Sequence, residues 1–202
     1  MMECRALVAT RSRHKLEEVR TILGGSLRIH GEVHELIDLV TAGIAPTPEE
    51  EDVEAFDTFR ENALAKARYF FRLTGMPTIA DDSGIEIDHL DGAPGVRSAR
   101  WTEEGDWIPR VLRELEGVPP EQRTCRYVCA AAAVWPDGRE VVVRGVVEGR
   151  VVHEPRGSGG FGYDPIVAPV EGDGRTFAEM TAAEKHAISH RARAFAALAE
   201  HL

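Results

Sequence analysis

The chain has 202 residues, 43% hydrophobic and 29% charged, which predicts one globular domain over residues 1–202 with a substantial core and room for two lobes. Its formal net charge of −10 repels nucleic-acid backbones and anionic membranes, so neither is an expected partner. A small polyanion could bind only through a local cluster of lysine and arginine or through a metal.

The three cysteines do not resemble a disulfide framework. Their number is odd, and Cys125 and Cys129 are four residues apart in an apolar run, which also differs from a CxxC metal pair. We therefore expect Cys4, Cys125 and Cys129 to be buried, reduced thiols. The first residues contain no long apolar segment and no span of 18 apolar residues follows, so we expect a soluble cytoplasmic protein.

The first elements are a buried strand over Ala6–Ala9, a polar loop and a helix. The loop is basic and consists of Thr10, Arg11, Ser12, Arg13, His14 and Lys15. Apolar residues then recur at helical spacing as far as Gly24-Gly25. Backbone N–H groups at a helix start suit a phosphate and Lys15 adds charge, although an ordinary solvated helix has the same pattern. The loop lacks the glycines of a P-loop, which excludes that motif.

The next segment contains a strand, a polar stretch and a second helix. Leu27–His30 predicts the strand, and residues 31–55 are polar, with an acidic run at 49–54 that is typical of a solvated face unless one acid binds a metal. Thr58 and Glu61 have the spacing of a capping box, and the helix that follows runs to about residue 73. Asn62 and Lys66 share one of its faces and could line a cleft.

The stretch Ile79-Ala80-Asp81-Asp82-Ser83-Gly84 is the strongest local candidate for a site. An apolar run that ends in acids and glycine predicts a buried strand that stops at a site. Adjacent carboxylates repel each other unless a cation or backbone donors share the position. Because strand neighbours point to opposite faces, we expect Asp81 and Asp82 to have different roles. A solvated turn capped by Asp and Ser is the alternative.

The second half of the chain contains longer strands. Residues 84–88 alternate as a strand and residues 107–116 have a helical pattern. Arg123–Trp135 and Glu140–His153 predict two long antiparallel strands joined by the turn Pro136-Asp137-Gly138. Together with the early strand–helix units, they indicate a mixed α/β or α+β fold rather than a pure parallel sheet.

Residues 157–162 match GxGxxG, but no dinucleotide site is predicted. Tyr163-Asp164-Pro165 follows where the motif requires a helix. The loop presents Phe161, Tyr163 and Asp164, so a planar ligand could stack on it, unless the aromatic side chain fills the core.

The C-terminal helical segment is expected to break. Thr181 and Glu184 form a capping box, but on one straight helix Lys185, His190 and Arg191 would face different directions. Ser189 is a good N-cap, so we predict that a new helix starts there with His190 and Arg191 at its N-terminus. His186 and His190 are a possible metal pair, without the glutamate of HExxH.

Six blocks in order resemble the inosine triphosphate pyrophosphatase family, also called the dITP/XTP pyrophosphatases. The resemblance implies two lobes around a long, twisted mixed sheet flanked by helices, with a cleft between the lobes. It also implies a homodimer and Mg²⁺-dependent hydrolysis of a purine nucleoside triphosphate (ITP, dITP or XTP) to the monophosphate and pyrophosphate. The blocks are Ala9-Thr10…Lys15, Thr58-Phe59-Arg60-Glu61-Asn62-Ala63…Lys66-Ala67, Ala80-Asp81-Asp82-Ser83-Gly84, Gly92-Ala93-Pro94-Gly95…Ser98-Ala99-Arg100, Gly160-Phe161-Gly162-Tyr163-Asp164-Pro165 and Ala178-Glu179-Met180…Lys185…Ile188-Ser189-His190-Arg191.

The resemblance also implies residue roles. Asp82 would be general base and metal ligand, and Glu54, or alternatively Glu51, would be the second metal ligand. Ser83 and the loop Thr10–Lys15 would contact the substrate, and Lys15 with Lys66 would supply positive charge to the triphosphate. The purine base would be held by Phe161, Gly162, Tyr163, Asp164, Lys185, His190 and Arg191.

The sequence departs from the family pattern in places, and other functions remain open. Ser12 and His186 each stand where the family usually has Asn. One alternative is a non-catalytic sensor that binds ITP with Mg²⁺ and releases no pyrophosphate. Another is a different metal-dependent phosphohydrolase, with Asp81 and Asp82 as a nucleophile pair and phosphate as product.

Overall fold

The computed structural model describes residues 4–29, 31–102 and 105–202, apart from the side chain of residue 51. The strands in this part of the chain are β1 Arg5–Val8, β2 Ser26–Ile29, β3 Glu32–Asp38, β4 Thr78–Ile87, β5 Thr124–Val134, β6 Glu140–Val151 and β7 Val167–Pro169. The α-helices are α1 Arg13–Leu23, α2 Phe59–Thr74, α3 Trp107–Glu114, α4 Ala182–Ile188 and α5 His190–Ala199. The strands form one seven-stranded sheet in the order β2-β3-β1-β4-β5-β6-β7.

The sheet contains both parallel and antiparallel pairs. β1 pairs in parallel with β3 and β4, whereas β2 pairs antiparallel with β3 and β7 pairs antiparallel with β6. At the two ends of the β5–β6 hairpin, Trp135 N–H donates to Arg139 O at 3.0 Å and Val151 N–H donates to Arg123 O at 2.9 Å. These two long strands are therefore antiparallel, and the predicted mixed α/β fold is confirmed.

The chain divides into two compact units. The first contains the residues up to Asp82, residues 129–145 and residues 191–202, and the second contains residues 83–128 and 146–190. Strands β4, β5 and β6 each have residues in both units. The assignment of residues 1–202 to a single domain stays a prediction.

The core of the first unit is formed by strands and by the apolar faces of two helices. Three of the four residues of β1 are buried, because this strand has hydrogen-bonded neighbours on both sides. Val19 of α1 and Phe195 of α5 belong to the same buried cluster as Ala6 and Ile79. Complete burial of such side chains contributes about 1.5–3 kcal/mol each for the larger ones.

The second unit has a separate core. Ile85 and Ile87 of β4 lie in one cluster with Val111 of α3, and Tyr163 and Phe177 add aromatic side chains to it. The Tyr163 hydroxyl donates to Ser98 O at 2.8 Å, which satisfies its polar end inside this core.

Local capping signals set the helix ends. The Ser12 side chain accepts from Lys15 N–H at the start of α1, which ends at Gly24 with a φ of 68°. Thr58 accepts from Glu61 N–H and Gly75, with a φ of 68°, ends α2. The Thr58 box is only half formed, since the Glu61 carboxylate accepts from the Thr58 hydroxyl at 2.6 Å.

The predicted break in the C-terminal helical segment is confirmed. Helix α4 ends at Ile188, Ser189 has an extended conformation (φ −67°, ψ 150°), and α5 begins at His190. The Thr181–Glu184 capping box at the start of α4 is complete. His190 and Arg191 therefore occupy the first turn of a new helix.

One strand was not predicted, and the predicted end of another was wrong. The polar segment after residue 30 contains β3, whose Leu36 and Ile37 are buried between neighbours on both sides. β4 does not stop at the acid pair but continues through Asp81 and Asp82 to Ile87. The predicted strand over Leu27–His30 is β2 as far as Ile29, and His30 lies outside the described residues.

The cysteine prediction is correct for two of three residues. Cys125 and Cys129 are buried and free, but Cys4 is exposed, because it precedes the first buried residue of β1. Within the described ranges, no helix is long and apolar enough to cross a membrane.

Candidate active site

The polar loop between β1 and α1 brings Lys15 to the first turn of the helix. Ser12 N–H donates to the Thr10 hydroxyl at 3.2 Å, and the Ser12 hydroxyl accepts from Lys15 N–H at 3.4 Å. The serine thus closes the loop and caps the helix, which fixes the backbone from which the Lys15 side chain extends.

The other basic residues of this loop have other partners. The Arg11 guanidinium forms two hydrogen bonds to the Glu50 carboxylate, at 3.0 and 2.6 Å, and a third to Ile44 O at 2.8 Å. Arg13 pairs with Glu17 one helical turn away at 2.8 Å, and His14 is exposed. Lys15 is therefore the loop cation that the structure directs towards the acid pair.

Asp81 is buried between cations. Its Oδ2 lies 3.3 Å from Lys15 Nζ and 3.2 Å from Arg191 Nη2, and its side chain is 2% exposed. Arg191 Nη1 also pairs with the Glu18 carboxylate. Burial by itself would raise the pKa of Asp81, but Lys15 and Arg191, with a contribution from Lys66, hold this pKa well below its usual value. Asp81 is therefore a permanent anion that orients two cations.

Asp82 has the opposite environment. Its Oδ2 accepts from Asn62. Burial raises its pKa to about 6, although Lys15 and Lys66 oppose the shift. The Glu54 carboxylate adds to the increase. A carboxylate with this pKa is ionised near neutral pH and yet basic enough to accept a proton, which is the property of a general base.

Asn62 connects Asp82 to the turn that carries Glu54. Its Nδ2 donates to Asp82 Oδ2 at 3.0 Å and to Phe56 O at 3.1 Å, while its Oδ1 accepts from Phe56 N–H at 2.9 Å. The Asn62 side chain is completely buried, and Glu54 pairs with Lys66 one turn further along α2. These contacts define a carboxylate–lysine cluster of Lys15, Glu54, Asn62, Lys66, Asp81 and Asp82.

The cluster has the donor set that a hard divalent cation requires. Burial would lower the pKa of Lys66, but the carboxylates, Glu54 first, raise it, so this lysine is protonated. Mg²⁺ binds through one or two carboxylates and completes its shell with waters and phosphate oxygens. Asp82 and Glu54 fit that demand; the side chain of Glu51, the alternative ligand, lies outside the described residues.

A second polar group surrounds Asp164. Its Oδ1 accepts from the Tyr127 hydroxyl at 3.2 Å, and its Oδ2 accepts from Phe161 N–H at 2.8 Å and from Lys185 Nζ at 2.7 Å. Lys185 Nζ also lies 4.6 Å from the centre of the Phe161 ring. We call Tyr127, Phe161, Asp164, Lys185 and His190 the Asp164 cluster.

His190 joins this cluster through Tyr127. The two rings stack with centroids 4.8 Å apart and planes inclined by 21°. Since α5 begins at His190, the break at Ser189 allows Lys185 at the end of α4 and His190 at the start of α5 to belong to the same group of side chains.

Glycines shape the loop that carries Phe161. Gly160 has a φ of +67°, and a Cβ there would collide with the Asp164 carboxylate. Gly162 has a φ of +62° but open space where its Cβ would lie. Tyr163 is buried in the core of the second unit, so its side chain anchors the loop, whereas Phe161 is half-buried.

The structure brings some of the predicted residues together and separates others. Lys15, Lys66 and Asp82 share one cluster, and Phe161, Asp164, Lys185 and His190 share the other. The Arg191 side chain is 1% exposed and pairs with Asp81 and Glu18. A contact between its guanidinium and the purine base stays a prediction. Ser83 is half-buried beside Asp82 in β4, and His186 is half-buried on α4.

Three contributing residues were not named as site residues from the sequence, although Asn62 was noted as able to line a cleft with Lys66. They are Glu18, Asn62 and Tyr127. Glu18 is an acid beside Val19 on the buried side of an amphipathic helix, and a buried charge requires a partner. Asn62 shares a helical face with Lys66, which was a usable signal. Tyr127 lies in an apolar strand pattern that gave no such signal.

Comparison with known proteins places this geometry in a family context. A family model described as the Ham1 family matches residues 6–201. A dITP/XTP pyrophosphatase of Symbiobacterium thermophilum is 46% identical, over 100% of this chain and 96% of the relative. A dITP/XTP pyrophosphatase of Streptomyces coelicolor is 45% identical, over 96% of this chain and 94% of the relative.

Solved structures have the same fold. A HAM1 protein from Coxiella burnetii superimposes with a TM-score of 0.80 at 33% identity, covering 98% of this chain and 97% of that one. A nucleoside-triphosphatase / dITP/XTP pyrophosphatase from Mycobacterium abscessus gives a TM-score of 0.72 at 40% identity, covering 96% and 98%.

Proposed function

The chain belongs to the Ham1 family, and from that premise we propose that it hydrolyses deaminated purine nucleoside triphosphates to the monophosphate and pyrophosphate. The substrates are ITP, dITP and XTP, and the reaction removes them from the nucleotide pool. The observation that carries this proposal is Asp82, a buried carboxylate whose pKa of about 6 is set between burial and two lysines.

The carboxylate–lysine cluster supplies what cleavage of a triphosphate requires. Such a substrate carries about four negative charges, and its cleavage depends on positioning and charge neutralisation. Lys15 and Lys66 hold phosphate oxygens by charge, inside a protein of net charge −10 that would otherwise repel them. Asp81 keeps Lys15 in place, because the two groups form an ion pair.

Asp82 accepts the proton of the attacking water. As the water oxygen bonds to the α-phosphorus, the bond to the bridging oxygen breaks, and pyrophosphate leaves with its charge balanced by the lysines. Asn62 holds the Asp82 carboxylate in the required orientation through its bond to Oδ2. Asp82 and Glu54 would hold Mg²⁺, which would neutralise phosphate charge and polarise water when bound.

The Asp164 cluster is proposed to recognise the base. Hypoxanthine and xanthine present an acceptor at O6, where adenine presents a donor. Lys185 and His190 carry N–H donors, and Phe161 offers a ring on which a planar base can stack. Adenine would present its amino group to these donors, where hypoxanthine and xanthine present an acceptor, and this mismatch is a strong basis for discrimination.

Three further features are proposed with this function. We infer that the protein acts as a homodimer, in the cytoplasm, and without a nucleic-acid polymer or a membrane as partner. The acidic net charge supports the last of these.

A product assay distinguishes this function from its alternatives. The purified chain with Mg²⁺ is given ITP, dITP, XTP, ATP and GTP, and pyrophosphate and phosphate are measured separately. Pyrophosphate from the deaminated nucleotides is the expected result. Phosphate as the product would identify a different phosphohydrolase, and binding without either product would identify a sensor.

A further inference from the structure

Three potential metal ligands lie on one face of the sheet, at the end where β1 and β3 begin. β1 and β3 are parallel with Arg5 beside Glu35 and Ala6 beside Leu36, so the same register places Cys4 beside His34. The bond from Glu35 N–H to Cys4 O, at 2.8 Å, extends the ladder to that position. Glu32 is two residues before His34, and alternate residues of a strand share a face.

This face is the apolar one. The same rows of side chains continue into Ala6, Leu36 and Leu27, which are all buried in the core of the first unit. A thiol, an imidazole and a carboxylate therefore lie where this apolar row reaches the protein surface, with Cys4 and Glu32 exposed and His34 half-buried.

The side chains already converge. One ligand atom each from Cys4, Glu32 and His34 can be chosen so that all lie within 4.8 Å of one another. Cys4 Sγ lies 3.7 Å from Glu32 Oε2. In a tetrahedral zinc site with bonds of about 2.0–2.3 Å, neighbouring ligand atoms are roughly 3.3–3.8 Å apart, so a contraction of about 1 Å would be enough.

The histidine is oriented as metal-binding histidines are. His34 Nδ1 lies 3.2 Å from Glu32 O, the backbone carbonyl of the same strand. In the tautomer that donates this bond, Nε2 has the lone pair that binds a metal, and such a second bond commonly fixes a ligating imidazole. This contact leaves Nε2 of His34 available to a metal.

We propose that Cys4, Glu32 and His34 form a zinc site, with water as the fourth ligand. A thiolate and a carboxylate supply two negative charges, which neutralise one Zn²⁺, and the S, N and O donors suit this borderline-soft ion. The same set disfavours Mg²⁺, which prefers oxygen ligands. The site is separate from Asp82 and Glu54, and it ties the residue before β1 to β3.

Metal titration tests the site directly. The reduced, chelator-treated chain is titrated with Zn²⁺ by calorimetry in excess Mg²⁺, which occupies oxygen-only sites. The expected result is about one Zn²⁺ per chain, with affinity at least tenfold lower in Cys4→Ser and in His34→Gln. His89→Gln is the control, since His89 is an exposed histidine outside the proposed site, and its affinity should equal that of the parent chain.

A spectroscopic signature identifies the sulfur ligand. Co²⁺ in place of Zn²⁺ should give a thiolate-to-metal charge-transfer absorption that is absent from Cys4→Ser, because Cys125 and Cys129 are buried. Circular dichroism and pyrophosphate release establish that each variant is folded. Absence of Zn²⁺ uptake by the parent chain, or equal uptake by folded Cys4→Ser, would overturn the proposal. Since metal uptake is the readout, failure here leaves the proposed hydrolysis untouched.

Discussion

Replacing Asp82 by asparagine should remove activity and at the same time stabilise the fold. The pKa of Asp82 is about 6 in the folded chain, against an ordinary value of 3.8. A carboxyl whose folded pKa is raised stabilises the fold in its protonated form, below pH 4, and loses that contribution as the pH rises through 6. The amide of Asp82→Asn never ionises, so the variant avoids this loss.

The size of the effect follows from the pKa difference. A difference of roughly 2 pKa units corresponds to about 3 kcal/mol of stability at pH 7.5, about 1.5 kcal/mol at pH 5 and about 0.5 kcal/mol at pH 4. The Asn62 bond does not oppose the gain, because the new amide oxygen can still accept from Nδ2. Loss of a general base should meanwhile lower turnover by about 10²- to 10⁴-fold.

Asp81→Asn is the matched control and should have the opposite sign. Asp81 is the neighbouring carboxylate in the same strand. Its pKa is held low, because the effect of Lys15 and Arg191 outweighs that of burial. Removing its charge leaves the buried Arg191 and the half-buried Lys15 without this partner, and breaking a buried ion pair typically costs about 3–5 kcal/mol.

Denaturant unfolding of the three proteins at pH 4, 5 and 7.5 measures both effects. Chelator is present throughout, because a bound cation would stabilise the parent chain but not Asp82→Asn. The reasoning is refuted if folded Asp82→Asn is less stable than the parent chain at pH 7.5, or if its advantage does not shrink on acidification.

Three further outcomes are expected. The pH profile of kcat/KM for ITP should fall about tenfold per pH unit below the Asp82 pKa of about 6, and a flat acid limb would exclude Asp82 as the base. Asn62→Ala should raise the Mg²⁺ concentration for half-maximal rate by about 10- to 100-fold, because it releases both Asp82 and the turn before α2. An unchanged Mg²⁺ dependence would leave Asn62 with a structural role only. Gly160→Ala and Gly162→Ala should each lose about 1–2 kcal/mol of stability, because both positions have a positive φ. Only Gly160→Ala, whose Cβ would meet Asp164, should also raise the KM for ITP. Equal KM values for the two variants would contradict a role of Asp164 in substrate binding.

Much of the local structure could be predicted from the sequence. Ser12 and Thr58 begin helices and Gly24 and Gly75 end them, because a cap depends on groups within three or four residues. The break at Ser189 was predicted for a geometric reason, since one straight helix could not bring Lys185 and His190 into one group of side chains. Different roles for Asp81 and Asp82 were expected from strand periodicity, and the two carboxylates do have different partners.

Strand β3 shows why some elements could not be predicted. Its sequence is mostly polar, and it is a strand because β1 and β2 supply hydrogen-bonding partners on both sides. The continuation of β4 through the acid pair has a similar cause, since the charges on both sides of the strand have partners that neutralise or hydrogen-bond them. In both places, tertiary context overrides local preference.

The sequence by itself determined the caps, the helix break, the mixed sheet and the blocks that identify the family, because each depends on short-range geometry or on residue order. Only the tertiary structure decided which charges pair. Arg191 reaches Asp81 across 110 residues and Glu18 across 173. A guanidinium of fixed charge in a buried position must lie against carboxylates, and their identity depends on how the strands and helices pack. The same packing gives two adjacent aspartates pKa values on opposite sides of the ordinary one.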